Sequence, residues 1–359
     1  MNRLAIKSLS KAYGSLKVFD GLDLAANAGE IVVIFGGSGT GKTILLRLVA
    51  GVEEPTSGTI EIAGEDASDI APEHRGVGMA FQNFALFPHM SAFENIATPL
   101  RAAKADAEGV NAGVSRVAKL LKIDHVLGHA PRELSNGQKQ RTALARALAA
   151  EPEILLLDDP LRNVDAKLRF EMRLELPRLL RQSGATVLYV TQDYKEAMAL
   201  ADRIAVLAGG KFAQVASPED IYMSPATLTV AKLFGDPSIN TVDSEIALQG
   251  KVATVSIKGA VIEIASSFGR HAGRPVVVGI RPEAVSLSPT VGEVPCQVVA
   301  VTPLNERVVL LLKSDGGWEF LASLPAHSDI PPAGAKLRAS FAASGIHVFD
   351  AASGERIHG

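Results

Sequence analysis

A glycine-rich segment directly after an apolar run has the residue types and spacing of a phosphate-binding loop. The segment follows a predicted strand, Ile31–Phe35, fits G-x-x-x-x-G-K-[ST], and consists of Gly36, Gly37, Ser38, Gly39, Thr40, Gly41, Lys42 and Thr43. Glycines let successive backbone N–H groups face one anion, and the helix predicted next adds the positive end of its dipole. Lys42 supplies a charge for the β- and γ-phosphates, and the Thr43 hydroxyl suits Mg²⁺. The segment therefore predicts that the chain binds a nucleotide with Mg²⁺.

Acidic and amide side chains come at the ends of two further apolar runs. The run at 154–157 is followed by Asp158 and Asp159, as expected for a buried parallel strand that delivers acids at its C-terminal edge. In a chain with a phosphate loop upstream, Asp158 is the predicted holder of Mg²⁺. The run at 185–190 is followed by a Thr-Gln-Asp sequence centred on Gln192. We expect these side chains to meet at one edge of a sheet.

Two other features have both a functional and a structural explanation. Tyr13 precedes a predicted turn at Gly14, where an exposed ring suits stacking on a purine, although packing in the core is the commoner fate of a tyrosine. Ser135, Gly137 and Gln138 open a predicted helix. Small polar residues at a helix start either bind an anion or cap the helix. The residues alone leave both alternatives open.

Composition limits the class of protein. The 359 residues are 47% hydrophobic and 21% charged, with a net charge of −3, which gives no electrostatic reason to expect a nucleic acid as partner. Cys296 is the single cysteine, so an internal disulfide and a cysteine-based zinc site are excluded. The first residues lack an apolar signal core, and no run approaches the roughly 20 apolar residues that span a bilayer. We expect a soluble, cytosolic chain that is able to dock on a membrane protein.

The pattern of elements predicts two domains. Strands and helices alternate over residues 30–207, which predicts an α/β fold with an open, mostly parallel sheet and ligands at the strand ends. A helical insertion is expected at about 83–150. Beyond residue 235 the sequence changes to short alternating strands with glycine turns, typical of a small all-β barrel or sandwich. The predicted boundaries are 1–235 and 236–359.

Taken together, these motifs resemble those of ATP-binding cassette (ABC) ATPases. They are Tyr13, the phosphate loop, Phe81-Gln82, residues 134–141 (LSNGQKQR), Leu155-Leu156-Leu157-Asp158, Asn163-Val164-Asp165 and Thr191-Gln192-Asp193. Residues 81–90, 165–169, 196–204 and 279–283 are more similar to the ATPase subunits of carbohydrate importers of the maltose and glycerol-3-phosphate type. The resemblance covers essentially the whole chain. It implies an ABC nucleotide-binding domain with a helical subdomain, followed by an OB-like, TOBE-type regulatory β-domain.

The resemblance also implies roles for individual residues. In this family two cassettes enclose two ATP molecules, and each site combines residues of both chains. Carried over, Tyr13 stacks on adenine, and Lys42 with the loop amides binds the phosphates. The groups around Mg²⁺ are Thr43, Gln82 and Asp158, and those for the ATP of the partner chain are Ser135, Gly137 and Gln138.

Partners follow from the same resemblance. Permease subunits contact the ATPase at the cytoplasmic face of the membrane, and a solute-binding protein is an indirect partner. The apolar segment 84–90 is expected to face a coupling helix of the permease, although core packing explains the same residues. The C-terminal domain is expected to stabilise the dimer or to sense regulators.

Four positions depart from the family pattern. Asp159 replaces the glutamate that polarises the attacking water, and Gln192 replaces the histidine that contacts the γ-phosphate. Asn136 replaces a signature glycine, which we attribute to the tolerance of asparagine for left-handed backbone, and Arg162 replaces a serine. A carboxylate one methylene shorter lies about 1.5 Å further back, and a misplaced general base costs about 10²–10⁴-fold in rate.

We therefore hypothesise that the chain binds ATP and Mg²⁺ at its own phosphate loop but cleaves ATP slowly, because the two catalytic positions are occupied by Asp159 and Gln192. A heterodimer with a competent second ATPase subunit is favoured over a homodimer. The alternatives are a regulatory module that binds nucleotide with little hydrolysis, the ATPase of an importer for another solute class, and a soluble cassette protein that acts on nucleic acid. The acidic balance and the importer-like β-domain argue against the last of these.

Overall fold

Residues 2–359 are described by a computed structural model. The chain divides into two compact units, Met1–Pro218 and Glu219–Gly359. The division falls earlier than the expected 235/236 boundary, so two short helices belong to the second unit. Within that unit the buried Arg281 guanidinium donates to the carbonyl oxygens of Tyr222, at 2.8 Å, of Ala231, at 3.1 Å, and of Phe234. These bonds tie the helical segment to the strands that follow it.

The first unit contains ten strands and six helices within its described residues. The strands are β1 (Asn2–Tyr13), β2 (Leu16–Asn27), β3 (Ile31–Phe35), β4 (Ser57–Ile62), β5 (Glu65–Asp66), β6 (Val77–Ala80), β7 (Ile154–Asp158), β8 (Thr186–Thr191), β9 (Arg203–Ala208) and β10 (Lys211–Ala216). The helices are α1 (Lys42–Ala50), α2 (Ala92–Ala102), α3 (Ala107–Leu120), α4 (Asn136–Leu148), α5 (Ala166–Ser183) and α6 (Tyr194–Leu200).

The central sheet has six strands in the order β10-β9-β3-β8-β7-β6. Every neighbouring pair is parallel except β10 with β9. Each residue of β3, β7 and β8 is buried, as is expected where helices cover both faces of a parallel sheet. Phe35 pairs with Thr191, and Asp158 pairs with Val190. The predicted parallel sheet is confirmed, and its carboxyl edge brings the ends of β3, β7 and β8 side by side.

A second sheet, of four antiparallel strands in the order β2-β1-β4-β5, was not predicted as a unit. Its first two strands are each 12 residues long, whereas the sequence pattern indicated only 4–9 and 16–19. Register shifts between Ile6 and Leu9 and a positive φ at Ser8 interrupt the alternation. Such bulges break the two-residue period on which strand prediction depends. Helix α1 buries Leu45 and Leu48 in the core that both sheets share.

The helical region between β6 and β7 contains α2, α3 and α4. Within the predicted helical insertion, α3 buries Val114 and Val117, while Leu120 is half-buried. The capping box at Ser91 and Glu94 starts α2. Among residues 2–359 no helix combines the length and the apolar character that crossing a membrane requires.

The second unit is mainly β-structure after two short helices, α7 (Pro218–Met223) and α8 (Leu228–Leu233). The first antiparallel sheet has the order β13-β12-β11-β14-β20 and consists of β11 (Asn240–Gln249), β12 (Val252–Ile257), β13 (Ala260–Ile264), β14 (Pro275–Ile280) and β20 (Ile346–Asp350). The second has the order β15-β19-β16-β17-β18 and consists of β15 (Val285–Ser288), β16 (Val294–Pro303), β17 (Arg307–Ser314), β18 (Glu319–Pro325) and β19 (Lys336–Phe341). The two sheets share one apolar core. The predicted all-β second domain is therefore confirmed.

Candidate functional site

The glycine-rich loop connects β3 to α1, as the sequence predicts. Gly41 stands immediately before the helix with φ of 94°, and a Cβ there would lie 2.7 Å from Val18 Cγ1 and 2.8 Å from the Phe19 ring. At Gly36 a Cβ would lie 2.7 Å from the Leu207 carbonyl oxygen. Left-handed backbone and close approach both require glycine at such positions. The loop geometry therefore depends on packing against β2 and β9.

The Lys42 side chain is hydrogen-bonded to the backbone of its own loop. Its Nζ donates to the carbonyl oxygens of Gly36, at 2.8 Å, and of Gly37, at 2.6 Å, and Thr40 Oγ1 donates to the Gly37 carbonyl at 3.0 Å. Burial lowers the pKa of the Lys42 ammonium, and the carboxylates of Asp159 and Asp158 oppose this shift. The ammonium is a buried cation held by loop carbonyls, and a phosphate would be a stronger partner for it.

Thr43 and Asp158 meet across the gap between α1 and β7. The Thr43 hydroxyl donates to Asp158 Oδ1 at 3.0 Å. Burial raises the pKa of Asp158, and the bond from Thr43 and the charges of Arg47 and Lys42 oppose that shift. A hydroxyl oxygen and a carboxylate oxygen at hydrogen-bond distance form a donor set that suits Mg²⁺. The residues therefore fit the predicted metal.

Asp159 lies on the turn directly after β7 with an unusual backbone. Its φ is 43°, which is uncommon for a residue other than glycine and is often found at functional sites. The Asp159 N–H donates to the Val190 carbonyl at 2.9 Å, which fixes the turn to β8. Burial raises the pKa of Asp159, opposed by Arg162 and Lys42. The backbone of Asp159 is thus held against β8. Arg162 Nη1 lies 3.9 Å from the Asp159 Oδ2 atom.

Most of the predicted residues line one cavity of about 270 Å³ at the carboxyl edge of the sheet. Its lining consists of Ser38, Gly39, Gly41, Lys42, Thr43, Ile44, Gln82, Asp158, Asp159, Arg162, Val190 and Gln192. The loop follows β3, and Gln82 follows β6. The two aspartates lie at the end of β7, and Gln192 lies directly after β8. Asn163 Nδ2 donates to the Gln82 carbonyl at 2.9 Å, which links the segments after β6 and β7.

Two residues of this region, Arg162 and Glu196, were not predicted from the sequence as site residues. Arg162 was noted only as a departure from a motif, yet its side chain lines the cavity. Glu196 in α6 is 1% exposed and accepts hydrogen bonds from the Tyr189 hydroxyl and from Thr191 Oγ1, both at 2.9 Å. Burial raises the pKa of Glu196 to about 7, opposed by those two bonds. A glutamate in a short helix gives no sequence signal of burial, because such residues are usually exposed.

The remaining predicted binding residues do not line this cavity. Tyr13 ends β1 and is 45% exposed, with Lys11 Nζ 4.8 Å from its ring centroid. The Tyr13 ring is therefore not packed in the core, which was the alternative to stacking on a purine.

Ser135 and Gln138 form a capping box at the start of α4, since Ser135 Oγ accepts from the Gln138 N–H at 3.3 Å and Gln138 Oε1 accepts from the Ser135 N–H at 2.9 Å. A Cβ on Gly137 would lie 2.6 Å from Leu168 Cδ2. The capping alternative is thus present in the structure. The explanation offered for Asn136 is wrong, because this residue is the first of the right-handed helix α4 and its φ is not positive.

The segment from Phe84 to Met90 lies at the surface of the first unit. Phe87 is 43% exposed, and none of the segment's apolar side chains is fully buried. Phe84 and Ala85 have φ of 64° and 48°, and Arg146 of α4 donates to both of their carbonyl oxygens, at 3.1 Å and 2.7 Å. Core packing therefore does not account for this segment.

Family models match two parts of the chain. The model for "ABC transporter" matches residues 19–162, and the model for "TOBE domain" matches residues 278–349. The first match contains the phosphate loop and both aspartates, and the second lies within the two-sheet unit.

Relatives of similar length match nearly end to end. The sn-glycerol-3-phosphate import ATP-binding protein UgpC of Yersinia pseudotuberculosis is 38% identical over 362 residues, with 99% of each chain covered. The protein of the same name from Paraburkholderia xenovorans is 39% identical over 368 residues, with 99% of each chain covered. Among solved structures, cbiO1 from Clostridium perfringens, part of the ABC transporter complex cbiONQ, matches with a TM-score of 0.57 and 24% identity. That match covers 61% of this chain and 90% of the other, and it supports the fold alone.

The motif order, the cavity at the strand ends and the near full-length relatives all agree. The chain belongs to the ABC transporter ATP-binding proteins that carry a C-terminal TOBE domain.

Proposed function

We propose that this chain is the energy-coupling subunit of an ABC importer for a sugar, a polyol or a glycerol-phosphate-like solute. The observation that carries the proposal is the cavity in which the phosphate loop meets Asp158. The solute class is supported by the names of relatives whose match covers 99% of the chain, both of which are sn-glycerol-3-phosphate import proteins. The surface segment 84–90 supports docking on permease subunits at the cytoplasmic face of the membrane, with a solute-binding protein as an indirect partner.

The residues of the cavity would bind ATP as follows. Loop N–H groups and Lys42 bind the phosphates, while Thr43, Asp158 and Gln82 hold Mg²⁺, whose charge neutralises the phosphate oxygens. Tyr13 is exposed enough to stack on adenine. Ser135, Gly137 and Gln138 contact the ATP of the partner chain. The structure has Ser135 and Gln138 in a capping box, and their contact with the ATP of the partner chain is proposed.

Hydrolysis at this chain's own site is proposed to be slow. Asp159 is held by the Val190 carbonyl and paired loosely with Arg162, and its carboxylate is one methylene shorter than the family's glutamate. Gln192 donates only a neutral hydrogen bond. We therefore favour a heterodimer with a second, competent ATPase subunit over a homodimer. The same two residues support a second candidate, a nucleotide-dependent regulatory module with little hydrolysis.

The test compares this chain alone with the complete transporter. Steady-state ATPase is measured for the chain alone, with the ATP-binding subunit and permeases encoded beside it, and in proteoliposomes offered sn-glycerol-3-phosphate, maltose or sulfate. We expect slow turnover alone, faster turnover in the complex, and uptake of a phosphorylated or sugar solute. Brisk turnover alone would exclude the slow site, and failure to co-purify with any permease would contradict the importer. Nucleotide-dependent dimerisation without stimulated hydrolysis would favour the regulatory module.

A further inference from the structure

Arg162 is a cation on a rigid turn at the edge of the nucleotide cavity. It follows Asp159, Pro160 and Leu161, and its N–H donates to the Asp159 carbonyl at 3.2 Å. Arg169 of α5 donates to the carbonyls of Leu161 and Arg162, both at 3.2 Å, and to that of Val164 at 3.1 Å. Three bonds from one guanidinium fix the backbone from which the Arg162 side chain extends. The backbone position of Arg162 is therefore fixed by contacts within the chain.

The Arg162 guanidinium faces the same space as Lys42. Arg162 and Lys42 both line the cavity. Its nearest acidic oxygen is Asp159 Oδ2, at 3.9 Å, which is too long for a hydrogen bond. The side chain is 45% exposed. Arg162 is thus close enough to Asp159 to influence its pKa, but its donors are not committed to that carboxylate.

Among the described residues that line the cavity, Lys42 and Arg162 are the two cationic side chains. The remaining charged lining residues are Asp158 and Asp159, and Gln192 at the end of β8 is neutral. A γ-phosphate brings concentrated negative charge, which a guanidinium matches with two parallel hydrogen bonds. Arg162 lies on the turn after β7 and Gln192 directly follows β8, the neighbouring strand, and both line the cavity.

We propose that Arg162 binds the γ-phosphate of ATP and supplies the positive charge that Gln192 cannot carry. This inference rests on the proposed function, because it requires ATP in the cavity. Arg162 then contributes to holding ATP rather than ADP, and the chain discriminates between them through a residue outside the phosphate loop.

The experiment measures the affinities of ATP and ADP separately, with Mg²⁺, for the full chain. The variants are Arg162→Ser, Arg162→Lys and, as the matched control, Arg178→Ser, which removes an exposed arginine on α5 outside the cavity lining. Charged hydrogen bonds contribute about 1.5–3 kcal/mol, so we expect Arg162→Ser to weaken ATP binding about 10- to 100-fold while ADP binding stays unchanged. Arg162→Lys should retain part of the ATP affinity, and Arg178→Ser should match the parent chain.

A second comparison separates direct contact from an effect through Asp159. In an Asp159→Asn background, Arg162→Ser should still weaken ATP binding by a similar factor. Loss of the effect in that background, equal weakening of ATP and ADP, or no weakening of either would overturn the proposal. Thermal melts identify any variant that fails to fold, in which case Arg162→Lys carries the comparison. A parent chain that binds neither nucleotide would instead contradict the proposed function.

Discussion

The phosphate loop and the turn after β7 face the same cavity, but they are built differently. In the loop, Lys42 is held by two carbonyl oxygens at 2.8 Å and 2.6 Å. In the turn, the Arg162 guanidinium comes no closer than 3.9 Å to the Asp159 carboxylate. The loop agrees with its motif at every residue, whereas the turn and the end of β8 depart from it at Asp159, Arg162 and Gln192. We infer that the loop serves nucleotide binding and that Asp159 and Gln192 serve cleavage, while Arg162 on the same turn is proposed to add to the binding of ATP.

The largest expected effect is on the loop side. Lys42→Ala removes the buried ammonium, so ATP binding should weaken about 10- to 100-fold, as charged hydrogen bonds of about 1.5–3 kcal/mol predict. ADP should weaken as well, because the loop also binds the β-phosphate. Equilibrium titration with each nucleotide gives both values. Lys119→Ala, at an exposed position of α3, is the control, and unchanged ATP affinity in Lys42→Ala would break the comparison.

The next largest effect concerns Glu196, which is buried and accepts hydrogen bonds from two residues of β8. Burial raises the pKa of Glu196 from 4.5 to about 7 in the folded chain. Since the folded pKa lies above the unfolded one, the stability contributed by this group is complete below about 4.5 and is lost as pH rises through about 7. Glu196→Gln stays neutral and keeps an oxygen that accepts from Tyr189 and Thr191.

The urea unfolding free energy of Glu196→Gln should therefore rise relative to that of the parent chain between pH 4.5 and 8, by up to roughly 3 kcal/mol. Glu171→Gln, an exposed position on α5, is the matched control. A difference between the Glu196 variant and the parent that does not change with pH would contradict the assignment. Its ATP affinity should stay close to that of the parent, which separates stability from loop binding.

The smallest effect is expected at Tyr13. Aromatic pairs contribute about 0.5–1.5 kcal/mol, so Tyr13→Ala should weaken ATP and ADP equally, by about 2- to 10-fold, and Tyr13→Phe should change neither. This pattern contrasts with that of Arg162, which should affect ATP alone. Unequal effects of Tyr13→Ala on the two nucleotides would place Tyr13 near the phosphates instead of the base.

Much of the phosphate-binding part of the site could be predicted from the sequence, because its sequence motifs are continuous in the chain. The loop from Gly36 to Thr43 is continuous in the chain, and the apolar run before Asp158 predicts a buried strand. The adjacency of Asp158 and Val190 then follows from parallel pairing. The four-stranded sheet was missed because bulges in β1 disturb its alternation.

Other features depend on side-chain hydrogen bonds between consecutive elements, which the hydrophobic pattern of the sequence does not encode. Glu196 is buried because Tyr189 and Thr191 present hydroxyls to it from β8, and Arg162 reaches the cavity because Arg169 holds the turn. Asn136 was given a left-handed backbone by analogy with glycine, but the capping box at Ser135 already starts the helix.

The central claim is that this cavity binds ATP well and cleaves it slowly because of Asp159 and Gln192. The most direct measurement is the single-turnover rate of γ-phosphate cleavage at saturating ATP and Mg²⁺, in the parent chain and in the Asp159→Glu, Gln192→His double variant. The account predicts a rate at least about 10²-fold higher in the double variant, since a well-placed general base contributes about 10²–10⁴-fold, with little change in ATP affinity. A parent chain that cleaves ATP as fast as the double variant would contradict it.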